Sequence, residues 1–244
     1  MENLIQCTVC GHRNTELDTI CKSCGAFLQN RPTALNLFET VWKLINSPKQ
    51  ALREVALAEH KNYAWLLSVF EGIGLTYLSL AVRTADEMEA TLGDSLLTGA
   101  IAGAIAGPIG VSLLSMILFA LGLIFGQRLM FKNIRSVLTY ALVPVVINLF
   151  TVFPLQIMTF GAFLFTHNPS PFTINPTVFI ATGLIDLTFG IWQLFILILG
   201  LNVFFSNSFY KIFASIFALV LISAGTERFL LSPIVHHFMD RMLR

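Results

Sequence analysis

All four cysteines of this 244-residue chain lie in its first tenth, as two C-x-x-C pairs: Cys7, Cys10, Cys21 and Cys24. A glycine, Gly11 or Gly25, follows each pair directly and suits a tight turn that aims both sulfurs at one point. Four thiolates from two such turns are the ligand set of a closed tetrahedral zinc site. The spacing therefore predicts a small zinc ribbon that holds a structural Zn²⁺ ion.

The competing interpretation of the cysteines is a pair of disulfides in an exported segment. Residues 1–6 have neither the basic n-region nor the apolar h-region of a signal peptide, which favours zinc. Free thiolates in turn place the N-terminus in a reducing compartment. We expect residues 1–28 to fold only with metal, because about 10–16 kcal/mol of zinc-binding energy is folding energy in such peptides.

The rest of the chain has the composition of a membrane protein. Hydrophobic residues make up 55% of the sequence, charged residues 12%, and the mean hydropathy is +0.75. A soluble domain carries about 25% charged residues. The formal net charge is only +1, and basic and acidic residues balance within residues 1–31. Phosphate-driven binding of nucleic acid is therefore not expected.

Five stretches are long and apolar enough to cross a bilayer, since a span needs roughly 20 residues. They cover residues 64–82, 99–125, 137–165, 178–205 and 212–231. The predicted fold class is an all-α polytopic membrane protein with five transmembrane helices. The predicted domains are a zinc ribbon (1–28), a linker with amphipathic helices (29–62), the membrane domain (63–232) and an amphipathic tail (233–244).

Two short amphipathic helices are predicted before the first span. Apolar residues recur at helical spacing between Leu37 and Ile45, and Ser47-Pro48 is typical of the start of a second helix. Neither helix is long enough to cross the bilayer. They either lie flat on the inner leaflet with Trp42 at headgroup level, or pack as a hairpin on the inner surface of the membrane domain.

The positive-inside rule predicts the orientation. With a cytoplasmic N-terminus, eight basic residues fall inside: Lys43, Lys49, Arg53, Lys61, Arg128, Lys132, Arg135 and Lys211. We therefore expect an integral protein of the cell membrane with its N-terminus in the cytoplasm and its C-terminus outside. The same orientation keeps the cysteines reduced.

Two ionisable residues stand out inside the predicted spans: Glu71 in the first and Asp186 in the fourth. At 1.5 Å per residue, Gln193 and Ser112 come out at about the depth of Glu71, and Asn148 at about that of Asp186. One interpretation is that each carboxyl is neutral and hydrogen-bonded across helices. The other is a pathway for protons or cations, because buried ionisable groups in membranes are often functional.

The second predicted span contains a ladder of small residues with four-residue spacing: Gly99, Gly103 and Gly107. Such a ladder allows a helix to pack backbone-close against a neighbour, either within the fold or in a homodimer. Pro108, Pro144 and Pro154 predict kinks in the second and third spans.

The catalytic motifs that are recognisable in sequences are absent. We find no HExxH, GxSxG, Walker loop or GxGxxG, and no convincing nucleophile–base pair. The sequence therefore does not predict an enzyme.

Three segments resemble the Yip family, the five-span membrane proteins that interact with Ypt/Rab GTPases, in its prokaryotic form. Residues 45–53 (INSPKQALR) are similar to the Ser-Pro and short amphipathic helix before the first span. Residues 136–144 (SVLTYALVP) resemble the Tyr-x-x-x-Pro entry into the third span, and residues 191–201 (IWQLFILILGL) the fourth-span stretch. The similarity covers about residues 37–230, and an N-terminal zinc ribbon is a familiar addition to it.

The resemblance implies a role in membrane trafficking or organisation. Eukaryotic members are associated with Rab GTPases, but their Asp-Leu-x-Gly-Pro motif is absent from this chain. We therefore predict a non-catalytic membrane scaffold or adaptor whose ribbon docks an unidentified cytoplasmic protein. The alternative is a small transporter, channel or lipid-translocating protein that uses Glu71 and Asp186.

Overall fold

A computed structural model describes residues 4–15, 17–29, 32–83, 92–124, 130–166 and 168–204. The elements in chain order are β1 (Leu4–Gln6), β2 (Arg13–Thr15), α1 (Leu37–Asn46), α2 (Pro48–Leu57), α3 (Ala64–Arg83), α4 (Leu92–Ile124), α5 (Phe131–Ala141), α6 (Val143–Phe160), a 3₁₀ turn (Gly161–Phe165), α7 (Pro171–Ile174) and α8 (Pro176–Phe204). Helices dominate the described residues, as the fold-class prediction requires.

Four candidate membrane spans lie within the described ranges. They are formed by α3, by α4, by α5 and α6 together, and by α8. The predicted fifth span, 212–231, and the tail, 233–244, lie outside the described residues. The prediction of an all-α polytopic membrane protein is confirmed.

The surface of the spans is apolar, as a lipid-facing surface must be. Only 11% of the residues in the span of α4 are buried. Ile101, Ile105 and Ile109, spaced by one helical turn, are all more than half exposed. In water such a stripe would be a large aggregation-prone patch, whereas in a bilayer it contacts acyl chains without cost.

The third predicted span is two helices, α5 and α6, separated at Leu142. Pro144 follows two residues later and has no N–H to continue the hydrogen-bond ladder. The N–H of Leu142 is shared between the carbonyls of Leu138, at 3.2 Å, and Thr139, at 3.0 Å, which tightens the last turn of α5. The predicted kink at Pro144 therefore takes the form of a helix break, while Pro108 and Pro154 stay inside α4 and α6.

The largest core lies where α2 packs between α5 and α8. Its fully buried members include Leu52 and Val55 on α2, Tyr140 on α5 and Ile196 on α8. The hydroxyl of Tyr140 donates to the carbonyl of Asn62 at 3.0 Å, which ties α5 to the chain just before α3. A segment that precedes the spans therefore contributes to the same core as the spans.

The structure distinguishes between the two arrangements that the sequence allowed for the amphipathic helices. Helix α2 buries its apolar residues from Ala51 to Leu57 against the membrane domain. Helix α1 packs on α2 through Leu44 but exposes Phe38, Trp42 and Ile45. The hairpin is thus packed on the bundle, and the face of α1 that carries Trp42 remains open to the membrane surface or to a partner.

Candidate functional site

The first cysteine pair sits at the turn between β1 and β2. The two strands pair antiparallel, and their ladder continues into a bond from the N–H of Cys7 to the carbonyl of His12, at 2.9 Å. The N–H of Gly11 donates to the carbonyl of Cys7 at 2.9 Å. Gly11 has φ of +70°, a conformation that strains other residues. The glycine is therefore needed to close this turn.

The second cysteine pair repeats the same turn. The N–H of Cys21 donates to the carbonyl of Ala26 at 2.8 Å, and that of Gly25 to Cys21 at 3.0 Å. Gly25 has φ of +72°. An isolated bridge between Ile20 and Phe27 takes the place of the strand pair. The two C-x-x-C-G segments therefore form equivalent turns that face each other.

The four sulfurs form one compact cluster. All four Sγ atoms lie within 4.8 Å of one another; the Sγ–Sγ distance is 3.7 Å between Cys7 and Cys24, and 3.5 Å between Cys10 and Cys21. A tetrahedral ion with metal–sulfur bonds of about 2.3 Å places its ligands about 3.8 Å apart. A disulfide needs about 2.05 Å. The residues therefore fit a four-thiolate metal ion, and all four cysteines are free.

Asn14 supports this cluster from β2 and was not found from the sequence. Its side chain is 1% exposed, and its Nδ2 donates to Cys21 Sγ at 3.5 Å and to the carbonyl of His12 at 3.0 Å. Its Oδ1 accepts from the N–H of Lys22 at 2.9 Å. Asn14 is the middle residue of β2, so its side chain lies on the face opposite those of Arg13 and Thr15, which are exposed.

The surroundings of the thiols favour some thiolates but not four. Burial raises the pKa of the Cys21 thiol, but the N–H groups of Cys24 and Ser23 lower it to about 6. Backbone N–H groups of its own turn hold the pKa of Cys7 below its ordinary value. At Cys24 a backbone N–H lowers the pKa of the thiol, but the neighbouring thiol of Cys10 and burial outweigh it and raise the pKa of Cys24 to about 12. A metal cation supplies the positive charge that four thiolates need.

A second polar group lies inside the bundle, around Asp186 of α8. Its Oδ1 accepts from Asn148 Nδ2 at 2.6 Å, and its Oδ2 accepts from Gln156 Nε2 at 2.7 Å. The depth estimate had placed Asn148 at the level of Asp186, whereas Gln156 was not singled out. Both donors belong to α6, where a spacing of eight residues is slightly more than two turns. We refer to Asp186, Asn148 and Gln156 as the polar triad.

The polar triad borders a cavity of about 80 Å³ between α3, α6 and α8. Gln193 lines the same cavity, seven residues and about two turns after Asp186 on α8. Tyr77 lines it from α3 and donates its hydroxyl to the carbonyl of Leu96 at 2.7 Å. The cavity therefore combines a carboxyl group, amides and aromatic rings.

Glu71 lies on α3 outside this cavity, and it is not hydrogen-bonded to Gln193 or Ser112, the residues predicted at its depth. Its side chain is fully buried, and neither carboxyl oxygen has a hydrogen-bond partner among the described residues. Gln193 lines the cavity at Asp186, and Ser112 donates to the carbonyl of Pro108 on its own helix at 2.6 Å. The estimate used depth alone, but the rotation of each helix decides which side chains meet.

The domain around these groups matches a known family. Residues 42–226 match the Yip1 domain, which is about three quarters of the chain. The chain belongs to the Yip1 domain family. This family consists of non-enzymatic membrane proteins, and the resemblance inferred from the three segments is confirmed. No curated protein and no solved structure matches the chain.

The four cysteines precede the part of the chain that matches the Yip1 domain. The cysteine cluster is therefore additional to the family's membrane domain. The polar triad, Glu71 and α2 all lie inside the match.

Within the Yip1 domain, the glycine ladder of α4 is used inside the chain. Gly103 and Gly107 meet Gly72 of α3 backbone to backbone, and Gly99 lies against the ring of Tyr77. A Cβ added at Gly103 would come within 2.5 Å of Ile73 Cα. Because α3 covers this ladder, it serves the fold and is not a free surface for a homodimer.

Proposed function

We propose that this Yip1-domain protein is a non-catalytic scaffold or adaptor of the cell membrane whose cytoplasmic zinc ribbon docks a soluble protein partner. The membrane domain fixes the ribbon at the bilayer surface. The metal gives the ribbon a rigid shape although only about 28 residues are available for its core.

Zinc is the proposed metal because the donor set consists of four thiolates in a closed cluster. Tetrahedral sulfur sites of this kind take zinc or iron, and a site with no open ligand position is structural rather than catalytic. The bound ion would neutralise the thiolates and hold the two turns together. Asn14 would orient Cys21 through its Nδ2–H···S contact.

The observation that carries the docking proposal is the exposed apolar pair on the second turn. Ile20 and Phe27 are 57% and 65% exposed although they are bridge partners, so their side chains lie on the same face. A unit of this size has few large apolar side chains, and placing two side by side in water is unfavourable unless a partner covers them.

Contacts with the hairpin hold the ribbon at one place on the membrane domain. Gln29 at its end accepts from Arg53 of α2 at 2.9 Å, and Leu17 packs against the main core. The N–H of Glu59, after α2, donates to the carbonyl of Pro32 at 2.9 Å. A partner on the ribbon would therefore be held at a defined position relative to the bilayer.

The proposed orientation, with the ribbon inside, has support from one contact between helices. The guanidinium of Arg135 on α5 lies 4.5 Å from the ring centre of Trp65 at the start of α3. The basic segment before the third span is thus at the same end of the bundle as the chain that enters the first span. Both belong inside by the positive-inside rule.

Site-specific photo-crosslinking in the native membrane tests the docking proposal. A crosslinker at Phe27 should capture one defined protein, whereas a crosslinker at the exposed Ser23 should not. Ile20→Ser should abolish the adduct without changing the metal content, and the purified partner should bind the wild type but not Ile20→Ser. Equal capture at both positions, or full binding by Ile20→Ser, would refute a docking role for this face.

A second function, transport, is favoured by one observation, the cavity beside the polar triad. A carboxyl group that borders a cavity inside a span can bind a proton or a cation. Glu71 is not among the described residues that line this cavity, so Asp186 would be the transporting group. Proteoliposomes should then pass protons, cations or labelled lipid, and Asp186→Asn should abolish the flux. No flux in the wild type eliminates this function.

A further inference from the structure

A second concave surface lies at the boundary between the bundle and the amphipathic hairpin. It is a groove of about 990 Å³ between α2 and α8, closed at one side by the linker that follows the ribbon. The residues that decide its chemistry are Lys49, Gln50, Arg53 and Glu54 on α2, and Phe195 and Leu199 on α8. A drug-sized or headgroup-sized molecule needs a volume of this order.

One wall of the groove is apolar and belongs to a membrane-spanning helix. Phe195 is 53% exposed, and it lies one turn before Leu199 on α8. Leu199 lines the groove from the same face of α8. Helix α8 has 29 residues, about 43 Å, and so exceeds the hydrocarbon core of about 30 Å. Helix α2 on the other side has only 10 residues and is too short to span the core, so the groove lies where a spanning helix meets a helix that does not span.

The opposite wall is cationic. Lys49 and Arg53 are four residues apart, so they lie on the same face of α2. Lys49 is exposed and forms no ion pair within the described part of the chain. Arg53 donates to Gln29 Oε1 at 2.9 Å. Two positive charges thus border the groove at its polar end.

Among the described residues that line the groove, the acidic one is Glu54, and both of its carboxylate oxygens are engaged. Glu54 Oε2 lies 2.9 Å from Lys43 Nζ of α1, and its Oε1 accepts from Gln50 Nε2 at 3.0 Å. Both carboxylate oxygens are therefore engaged on the side of α1. Lys43 is shared with Glu39, at 2.8 Å, so Glu54 keeps part of its negative charge. The described residues that line the groove carry two basic groups and one acidic group, a balance of +1, which favours an anion.

We propose that this groove binds an anionic phospholipid. Its phosphate would lie at Lys49 and Arg53, and the part of an acyl chain next to the headgroup would lie along Phe195 and Leu199. A lipid satisfies both walls at once. A soluble anion would leave the apolar wall uncovered, and a zwitterionic lipid would bring its own cation beside the lysine. The site is distinct from the ribbon and from the polar triad, so it requires neither the docking nor the transport function.

The test uses the full-length protein, delipidated in a non-ionic detergent and incubated with dioleoyl phosphatidylglycerol or dioleoyl phosphatidylcholine. Bound lipid per chain is counted by mass spectrometry. The wild type should retain phosphatidylglycerol in clear preference. Lys49→Gln should weaken its binding about fivefold, the share of one basic residue near an anionic surface. Lys49→Arg should restore it.

A matched control is Lys132→Gln, which removes another exposed lysine, near the start of α5. It should bind phosphatidylglycerol like the wild type. Phe195→Ser should weaken binding without affecting the headgroup charges. Arg53 is less suitable for substitution because it also holds Gln29.

Three results would overturn the proposal. One is equal retention of the two lipids by the wild type. Another is equal loss in Lys49→Gln and Lys132→Gln, which means general surface attraction. The third is displacement of the lipid by an equal concentration of glycerol 3-phosphate, which means that the groove selects a soluble anion.

Discussion

The ribbon and the membrane bundle are stabilised in opposite ways. In the ribbon, four side chains from two turns converge on one point, and the strands that support them are three residues long. In the bundle, close contacts run along whole helices, as between the glycines of α4 and the backbone of α3. Loss of one ligand should therefore unfold the ribbon, while loss of one bundle contact should weaken a structure that persists.

The difference also concerns the solvent. The ribbon is surrounded by water, and a chain this short cannot bury enough apolar surface to balance its conformational entropy. The bundle gains little from hiding apolar side chains from lipid, so its helices must fit by shape and by hydrogen bonds. The ribbon therefore depends on metal ligands, and the bundle depends on small residues that allow close packing.

The largest expected effect is that of Cys21→Ser. We predict loss of the bound metal and unfolding of residues 1–28, because the metal-binding energy of about 10–16 kcal/mol is the folding energy of the ribbon. The helical signal of the bundle should not change. Metal per chain measured by elemental analysis, together with protease sensitivity of the ribbon, checks this.

Ser23→Ala, in the same turn but without a ligand, is the control for Cys21→Ser and should keep its metal. One zinc per chain in Cys21→Ser would show that the ligand assignment is wrong. Iron in the wild type would keep the ligands but change the metal. If the bundle unfolded together with the ribbon, the contrast between the two regions would not hold.

The next effect should be confined to the bundle. A Cβ at Gly107 would overlap the carbonyl of Ser68 and lie 2.7 Å from Gly72 Cα, so Gly107→Ala must push α3 and α4 apart. Overpacking of this kind costs about 1–3 kcal/mol, and backbone neighbours place it at the upper end. Denaturant titration of the protein in detergent should show a lower midpoint with the metal content unchanged.

Gly110→Ala is the matched control for Gly107→Ala, because it adds the same methyl group to the same helix where nothing lies within 4 Å. Its midpoint should equal or slightly exceed that of the wild type, since alanine favours the helix. Equal destabilisation by both substitutions would mean that helix propensity rather than close packing decides the stability of α4.

Features that depend on local spacing could be predicted from the sequence. The paired turns follow from C-x-x-C-G, the spans from apolar runs, and the break after α5 from Pro144. Features that depend on how helices rotate against each other could not be predicted. Gln156 lies on α6, and the packing of α6 on α8 decides that it donates to Asp186. The rotation of α3 decides that neither oxygen of Glu71 has a partner among the described residues.

The smallest effect on stability is expected at the contact of α6 with α8. This contact depends on hydrogen bonds, whereas the contact of α3 with α4 depends on close steric fit. Asp186→Leu removes the acceptor of both Asn148 and Gln156, and each interhelical bond contributes about 0.6–2 kcal/mol. Because such bonds average about 0.6 kcal/mol, we predict a loss of about 1 kcal/mol in unfolding free energy, less than for Gly107→Ala. Thr188→Val, an exposed position on α8 whose hydroxyl bonds only to Leu184 of its own helix, should lose far less.

The variant Asp186→Asn separates structure from transport, because it keeps an acceptor oxygen but cannot carry a charge. If the triad is structural, the unfolding free energy of Asp186→Asn should lie close to that of the wild type and above that of Asp186→Leu. If Asp186→Leu were as stable as the wild type, the carboxyl group would contribute nothing to the packing of α6 on α8. An ionisable group kept inside a bilayer without a structural benefit needs another reason, and the cavity beside it would then make transport the better explanation.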